Sequence, residues 1–178
     1  GALDELVRAG KARAVGCSNY SAGQLAEALG RQGALGLARF ASVQPVYNLA
    51  DRSIEAELLP LCAAQGLGVI SYSPLGAGFL TGKYRRGGPV PPGTRFDVVP
   101  AHQEIYFTEA RFRVMEGLRA LAEGAGVPMA HLALAWVLGR PGLTSVLVGA
   151  RSPAHIDQAI AASAGLPPDL RAALDALG

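Results

Sequence analysis

Gly68-Val69-Ile70-Ser71-Tyr72-Ser73-Pro74-Leu75-Gly76-Ala77-Gly78 begins as a solid apolar run, turns polar and aromatic, and then breaks into glycine and proline. A run that is apolar throughout, rather than alternating, is expected of a strand buried on both faces, as in parallel sheets covered by helices. A helical pattern precedes it: Ser53 can cap a helix through Ala56, Leu58, Leu59 and Leu61, and Gly66 closes it. The same rhythm occurs twice upstream. Leu3-Asp4-Glu5-Leu6-Val7-Arg8 reads as an amphipathic helix ended by Gly10, followed by the short apolar run Ala14-Val15-Gly16-Cys17. Ser21 with Gln24 then forms the pattern of a capping box, opening a helix with Leu25, Ala28 and Leu29 on one face. Ala41-Ser42-Val43-Gln44-Pro45-Val46-Tyr47 is strand-like, with a proline near its end. Helix and strand therefore alternate with short links, which predicts an α/β fold with parallel strands.

Downstream the rhythm pauses. Residues 74–107 are rich in glycine and proline and show no sustained period, so a long loop is expected there, of the kind that is usually functional or disordered. Helices are predicted from Thr108 to about Glu123 and from Pro128 to Leu138. A fourth apolar run, Ser145-Val146-Leu147-Val148, ends at Gly149, and Ser152-Pro153 supplies an N-cap and a first helical residue. A last amphipathic helix follows Pro167-Pro168. The whole chain, 1–178, is read as a single domain. Four strands are half of a closed (β/α)8 barrel, which needs eight and about 250 residues. Four βα units leave two open edges, so the missing strands are expected from a first half of the barrel or from a second copy of the chain. The first residues read as the middle of a helix, as though the sequence were entered rather than begun. A small doubly wound sheet is the competing architecture.

Composition narrows the function. The chain is 50% hydrophobic and 17% charged, which excludes disorder as a global description. Its formal net charge is +2 with the arginines dispersed, and Arg85-Arg86-Gly87-Gly88 reads as a solvated loop, so no nucleic-acid footprint is expected. Cys17 and Cys62 lack metal-ligand spacing and are expected as buried free thiols. No metal site is expected. The most apolar stretch, Met129 to Leu138, is roughly half of what spans a bilayer, and no signal peptide is visible. A cytoplasmic protein with no membrane partner is the expectation.

The chemistry is read from the strand ends. Ser18 and Asn19, Gln44 and Asn48, Tyr72 and Ser73, and Arg151 and Ser152 all follow apolar runs. In a parallel barrel the carboxyl ends of the strands make the active-site face. A side-chain amide and a hydroxyl at adjacent strand ends can bond both ends of a carboxamide, and a flat ring can stack on a nicotinamide. At the last turn Gly149 permits close approach, Arg151 and Ser152 offer charge and a hydroxyl, and a helix begins, a combination suited to phosphate.

These residues meet a family pattern. Gly10-Lys11-Ala12-Arg13 with Gly16-Cys17-Ser18-Asn19, and Val43-Gln44-Pro45-Val46-Tyr47-Asn48-Leu49, resemble the aldo/keto reductases. So do Tyr72-Ser73-Pro74-Leu75-Gly76-Ala77-Gly78-Phe79-Leu80-Thr81-Gly82-Lys83-Tyr84, the most specific block, and Gly149-Ala150-Arg151-Ser152-Pro153. The resemblance covers essentially the whole chain and maps to the C-terminal half of the family's barrel, strands five to eight. It implies an NADP(H)-dependent enzyme that reduces an aldehyde or ketone, with a small-molecule carbonyl substrate. Ser18, Asn19 and Gln44 would hold the carboxamide, and Tyr72 would stack on the nicotinamide. Ser73, Pro74, Leu75 and Gly78 would line the pyrophosphate. Gly149, Arg151, Ser152, His155 and Gln158 would meet the adenosine 2′-phosphate end. His155 and Ala159 stand where the family commonly has Arg or Gln and Asn, and Gln158 replaces a frequent Glu. The loop after Lys83 resembles the family's mobile segment. The Asp, Tyr, Lys and His that transfer protons in the family lie on its first four strands, and none of those motifs occurs here. No catalytic residue is assigned, and Tyr20, Tyr47 and Tyr106 have no lysine placed to lower their pKa. By this reading the chain is the enzyme's cofactor-binding half; a nucleotide-binding half barrel that dimerises and an inactive truncated product are the alternatives.

Overall fold

The computed structural model describes residues Gly1–Gly178. The chain packs as two compact units that interleave along the sequence.

One unit comprises Gly1–Val46, Ser53–Tyr72 and Gly142–Ser145. It contains α1 (Ala2–Arg8), β1 (Val15–Ser18), α2 (Ala22–Ala34), β2 (Phe40–Gln44), α3 (Leu58–Gln65) and β3 (Gly68–Ser71). The sheet runs β1-β2-β3-β4, with β4 at Ser145–Val146. β1 pairs with β2 and β2 with β3 in parallel, Ser18 opposite Gln44 and Ser42 opposite Gly68. The α/β class and the parallel sheet of a partial barrel are as expected. Gly16 is what lets β1 approach, since a Cβ there would lie 2.7 Å from both the carbonyl and the hydroxyl of Ser42. Val43 and Val69 are fully buried in the sheet. Thr144 secures the fourth strand, its N–H donating to the Val69 carbonyl and its hydroxyl accepting the Val69 N–H.

Two boundaries shift because of proline. β2 stops at Gln44, since Pro45 has no N–H to give the ladder, although its carbonyl still accepts from Tyr72 N–H. The helix expected from Ser53 is instead a 3-10 turn, Ser53–Glu55, followed by α3 from Leu58. A helix begun at Ser53 would carry Pro60 in its interior; begun at Leu58 it carries Pro60 in the first turn, where no N–H is needed. The capping box at Ser21 and Gln24 forms, Leu25 and Leu29 are buried below it, and Gly66 ends α3 at φ +63°. Both cysteines are free, Cys62 buried on α3 and Cys17 half-buried on β1.

The other unit comprises Tyr47–Arg52, Ser73–Pro141 and Val146–Gly178. Its helices are α4 (Arg95–Val98), α5 (Ala101–Tyr106), α6 (Glu109–Ala125), α7 (Met129–Leu138), α8 (Pro153–Ala162) and α9 (Pro168–Asp175). α7 is buried from Met129 to Val137 except at His131, which is half-buried. Trp136 is its anchor: the indole N–H donates to Asp175, Tyr47 tilts against the ring, and Arg52 and Arg140 lie over it.

The stretch read as a long loop carries three short helical segments. It holds a 3-10 segment, Gly76–Thr81, together with α4 and α5. Phe79, Tyr84, Phe96, Tyr106, Phe107 and Phe112 form one aromatic cluster, with Tyr84 and Phe96 stacked at 4.5 Å. Such an anchor leaves no periodic stripe in the sequence, because scattered rings rather than a helical face do the burying. His102 stands edge-on to Phe96. No single helix is long and apolar enough to cross a membrane.

Candidate nucleotide site

The first group of expected site residues lies at the strand ends of the sheet-bearing unit. The Ser18 hydroxyl donates to the Gln44 carbonyl at 2.8 Å, and the Asn19 N–H donates to the same oxygen at 3.1 Å. Asn19 sits at φ +58°, a left-handed conformation that asparagine tolerates better than most residues. The Tyr72 hydroxyl donates to Asn19 Oδ1 at 2.9 Å. Ser18, Asn19, Gln44 and Tyr72 are therefore one hydrogen-bonded cluster, with Ser18 and Asn19 exposed.

The second group lines a cleft of about 710 Å³ in the other unit. Ser73, Pro74, Leu75 and Gly78 form one wall, and Gly149, Arg151, His155 and Gln158 another. Ser152 is exposed at the N-cap of α8 and does not line the cleft; its side chain makes no capping bond. The Arg151 N–H donates to His155 Nδ1 at 3.2 Å instead. His155 thus presents Nε2, not Nδ1, as its available nitrogen.

The wall that starts at Ser73 includes three lining residues in left-handed conformations: Ser73 at φ +55°, Ala77 at +54° and Gly78 at +93°. Non-glycine residues in that region cost on the order of 1–3 kcal/mol each and cluster at functional sites. Asn48 holds the first of them. Fully buried, it donates from Nδ2 to the Ser73 carbonyl at 3.1 Å and to the Tyr106 hydroxyl at 3.4 Å, while its Oδ1 accepts from Ala50 N–H. The sequence marked Asn48 only as a polar strand end; its role depends on a turn and an aromatic that lie far from it in the chain.

Lys83, Thr94 and Arg95 also line the cleft and were not among the expected site residues. Gly78 gives Lys83 room, because a Cβ there would lie 3.0 Å from Nζ. Burial lowers the Lys83 pKa below that of an ordinary lysine, and the positive charge of Arg151 lowers it further. Two cations lining one cleft beside strained backbone are suited to an anion with several oxygens. Lys83 was visible in the Gly82-Lys83-Tyr84 block, but no local pattern says that it shares a cleft with Arg151.

Fold and site together define an α/β protein of the parallel-barrel type with a polar cluster at its strand ends and a cationic cleft. The aldo/keto reductase family model matches residues 1–178, and the chain belongs to that family. Among its relatives is a probable voltage-gated potassium channel subunit beta from Arabidopsis thaliana, 35% identical over 165 residues, covering 88% of this chain and 48% of that protein. The NADH-specific methylglyoxal reductase of Escherichia coli (strain K12) is 36% identical over 160 residues, covering 90% of this chain and 46% of that protein. The L-glyceraldehyde 3-phosphate reductase of the same organism is 34% identical over 169 residues, covering 90% and 47%. The chain thus spans about half the length of the curated relatives it matches.

Proposed function

We propose that this chain is the dinucleotide-binding half of an NADP(H)-dependent aldo/keto reductase that reduces an aldehyde or ketone to an alcohol. The observation that carries the reading is that Lys83 and Arg151 line one cleft together with Ser73, Ala77 and Gly78, whose backbone lies in the left-handed region. Like charges brought together at a cost to one of them are consistent with a polyanionic ligand, and the cleft is large enough for one. Ser73, Pro74, Leu75, Gly78 and Lys83 would hold the pyrophosphate. Gly149, Arg151, Ser152, His155 and Gln158 would meet the adenosine end, with Arg151 the main partner of a 2′-phosphate. Ser18, Asn19 and Gln44 would hold the nicotinamide carboxamide, and the Tyr72 ring would support the nicotinamide face.

A bound nicotinamide would supply the hydride. Reduction also needs a proton at the developing alkoxide. Tyr47 has its hydroxyl against Arg140, and Tyr106 against Asn48, both within packed interiors. Neither is placed to meet a substrate carbonyl, so the reading assigns proton transfer to the remaining half of the full-length protein. One relative is named NADH-specific, which makes the choice between NADPH and NADH part of the test. Titration of the full-length protein with each reduced cofactor, followed by a carbonyl reduction assay, checks the proposal. Tighter binding of NADPH than NADH, and loss of that preference in Arg151→Ala, is expected. Absence of binding by either cofactor refutes it.

A further inference from the structure

The hydrogen bonds at the strand ends leave a directional pattern. Ser18 has spent its only proton on the Gln44 carbonyl, so toward a ligand its hydroxyl is an acceptor. Asn19 receives the Tyr72 proton on Oδ1, so its free end is the NH₂ group, a donor. One acceptor beside one donor is the complement of a primary carboxamide, whose NH₂ would meet Ser18 and whose carbonyl would meet Asn19. An asparagine side chain left to itself can rotate by half a turn and exchange donor for acceptor at little cost. The left-handed backbone of Asn19 fixes where the side chain starts but not which end of its amide faces outward.

We propose that the Tyr72 hydroxyl is a positioning group: it fixes the orientation of the Asn19 amide so that its NH₂, not its oxygen, faces the ligand's carbonyl. The inference rests on the nucleotide reading above and deepens it, giving Tyr72 a second task distinct from ring stacking. A phenolic O–H at 2.9 Å can donate to Oδ1, whereas an NH₂ in that place would force the phenol to become an acceptor. With the hydroxyl removed, the two amide orientations become close in energy, and recognition of the carbonyl weakens.

The test uses full-length protein and two probes, NADP⁺ and its thionicotinamide analogue, in which sulfur replaces the carboxamide oxygen and accepts hydrogen bonds poorly. Tyr72→Phe keeps the ring. Asn19→Ala removes the amide, and the double variant closes the cycle. In the unsubstituted protein the analogue should bind more weakly than NADP⁺. Tyr72→Phe should weaken NADP⁺ about threefold to tenfold, as expected for one net hydrogen bond, and shrink the analogue's penalty toward that of Asn19→Ala. In the Asn19→Ala background Tyr72→Phe should have no further effect. A purely structural role would weaken both probes alike. An unchanged penalty in Tyr72→Phe, or effects of the two substitutions that simply add, overturns the proposal. Failure of the unsubstituted protein to bind NADP⁺ overturns the nucleotide reading itself, a separate result.

Discussion

Lys83 and Arg151 concentrate the cost of this site. In the absence of a ligand the two charges repel, and burial already disfavours the Lys83 ammonium. Lys83→Met should therefore leave thermal stability unchanged or slightly raised, while weakening NADP⁺ binding by about tenfold or more, the scale of a lost charge-assisted contact. The sign of the pH effect follows from the lowered pKa. Between the folded value and the ordinary 10.5, the native state binds fewer protons than the unfolded chain. Through this group, stability rises as pH rises across that window, and the Lys83→Met variant should lose that rise when melting curves are compared at several alkaline pH values. Asn48 makes the opposite case, a fully buried polar group with both ends of its amide hydrogen-bonded. Asn48→Ala strands the Ala50 N–H and removes one of the two donors to the Ser73 carbonyl, which keeps the Gly76 N–H, and denaturant unfolding should show a loss of about 1–3 kcal/mol. Asn48→Asp should cost more, since it sets a carboxylate oxygen against the Ser73 carbonyl in a buried place. Neither pairing was legible in the sequence. Lys83 and Arg151 stand in separate motifs, and only the folded chain brings them to one cleft.

At the scale of elements, legibility followed punctuation. Ser21 with Gln24, Gly66, and Ser152 with Pro153 each mark a boundary that backbone hydrogen bonding requires, and helices begin or end there. The short α4 and α5 were not legible, because four to six residues carry too little period to read and are held by rings from elsewhere. Phe96 sits at the centre of those rings, fully buried among Phe79, Tyr84, Tyr106 and Phe107. Phe96→Ala should cost about 3–5 kcal/mol. The same change should release the 84–107 stretch to limited proteolysis, while α6 and α7 stay protected. Cleavage no faster than in the unsubstituted chain would mean that the cluster is not what orders this segment.

At the scale of the whole molecule, the four-stranded order leaves β1 with β2 as its only partner. Parallel strands are ordinarily flanked on both sides and covered by helices, and a free edge presents N–H and C=O groups ready to pair with another chain. Here the edge strand is short, and Gly16 and Ser18 along it are exposed. Neither lysine nor proline falls within Val15–Ser18 to discourage pairing. A polypeptide limited to these 178 residues should therefore self-associate. Sedimentation velocity at micromolar concentration is expected to show species heavier than 18.3 kDa, shifting toward the monomer on dilution. Gly16→Lys should not serve as the blocking variant, because any Cβ at that position collides with Ser42 and would disturb β1 itself. Cys17→Lys is the better probe: Cys17 is half-buried on the same strand, and a charge there should favour the monomer if β1 is the pairing edge. A monodisperse 18.3 kDa species from the unsubstituted chain would mean that this edge does not recruit a second copy.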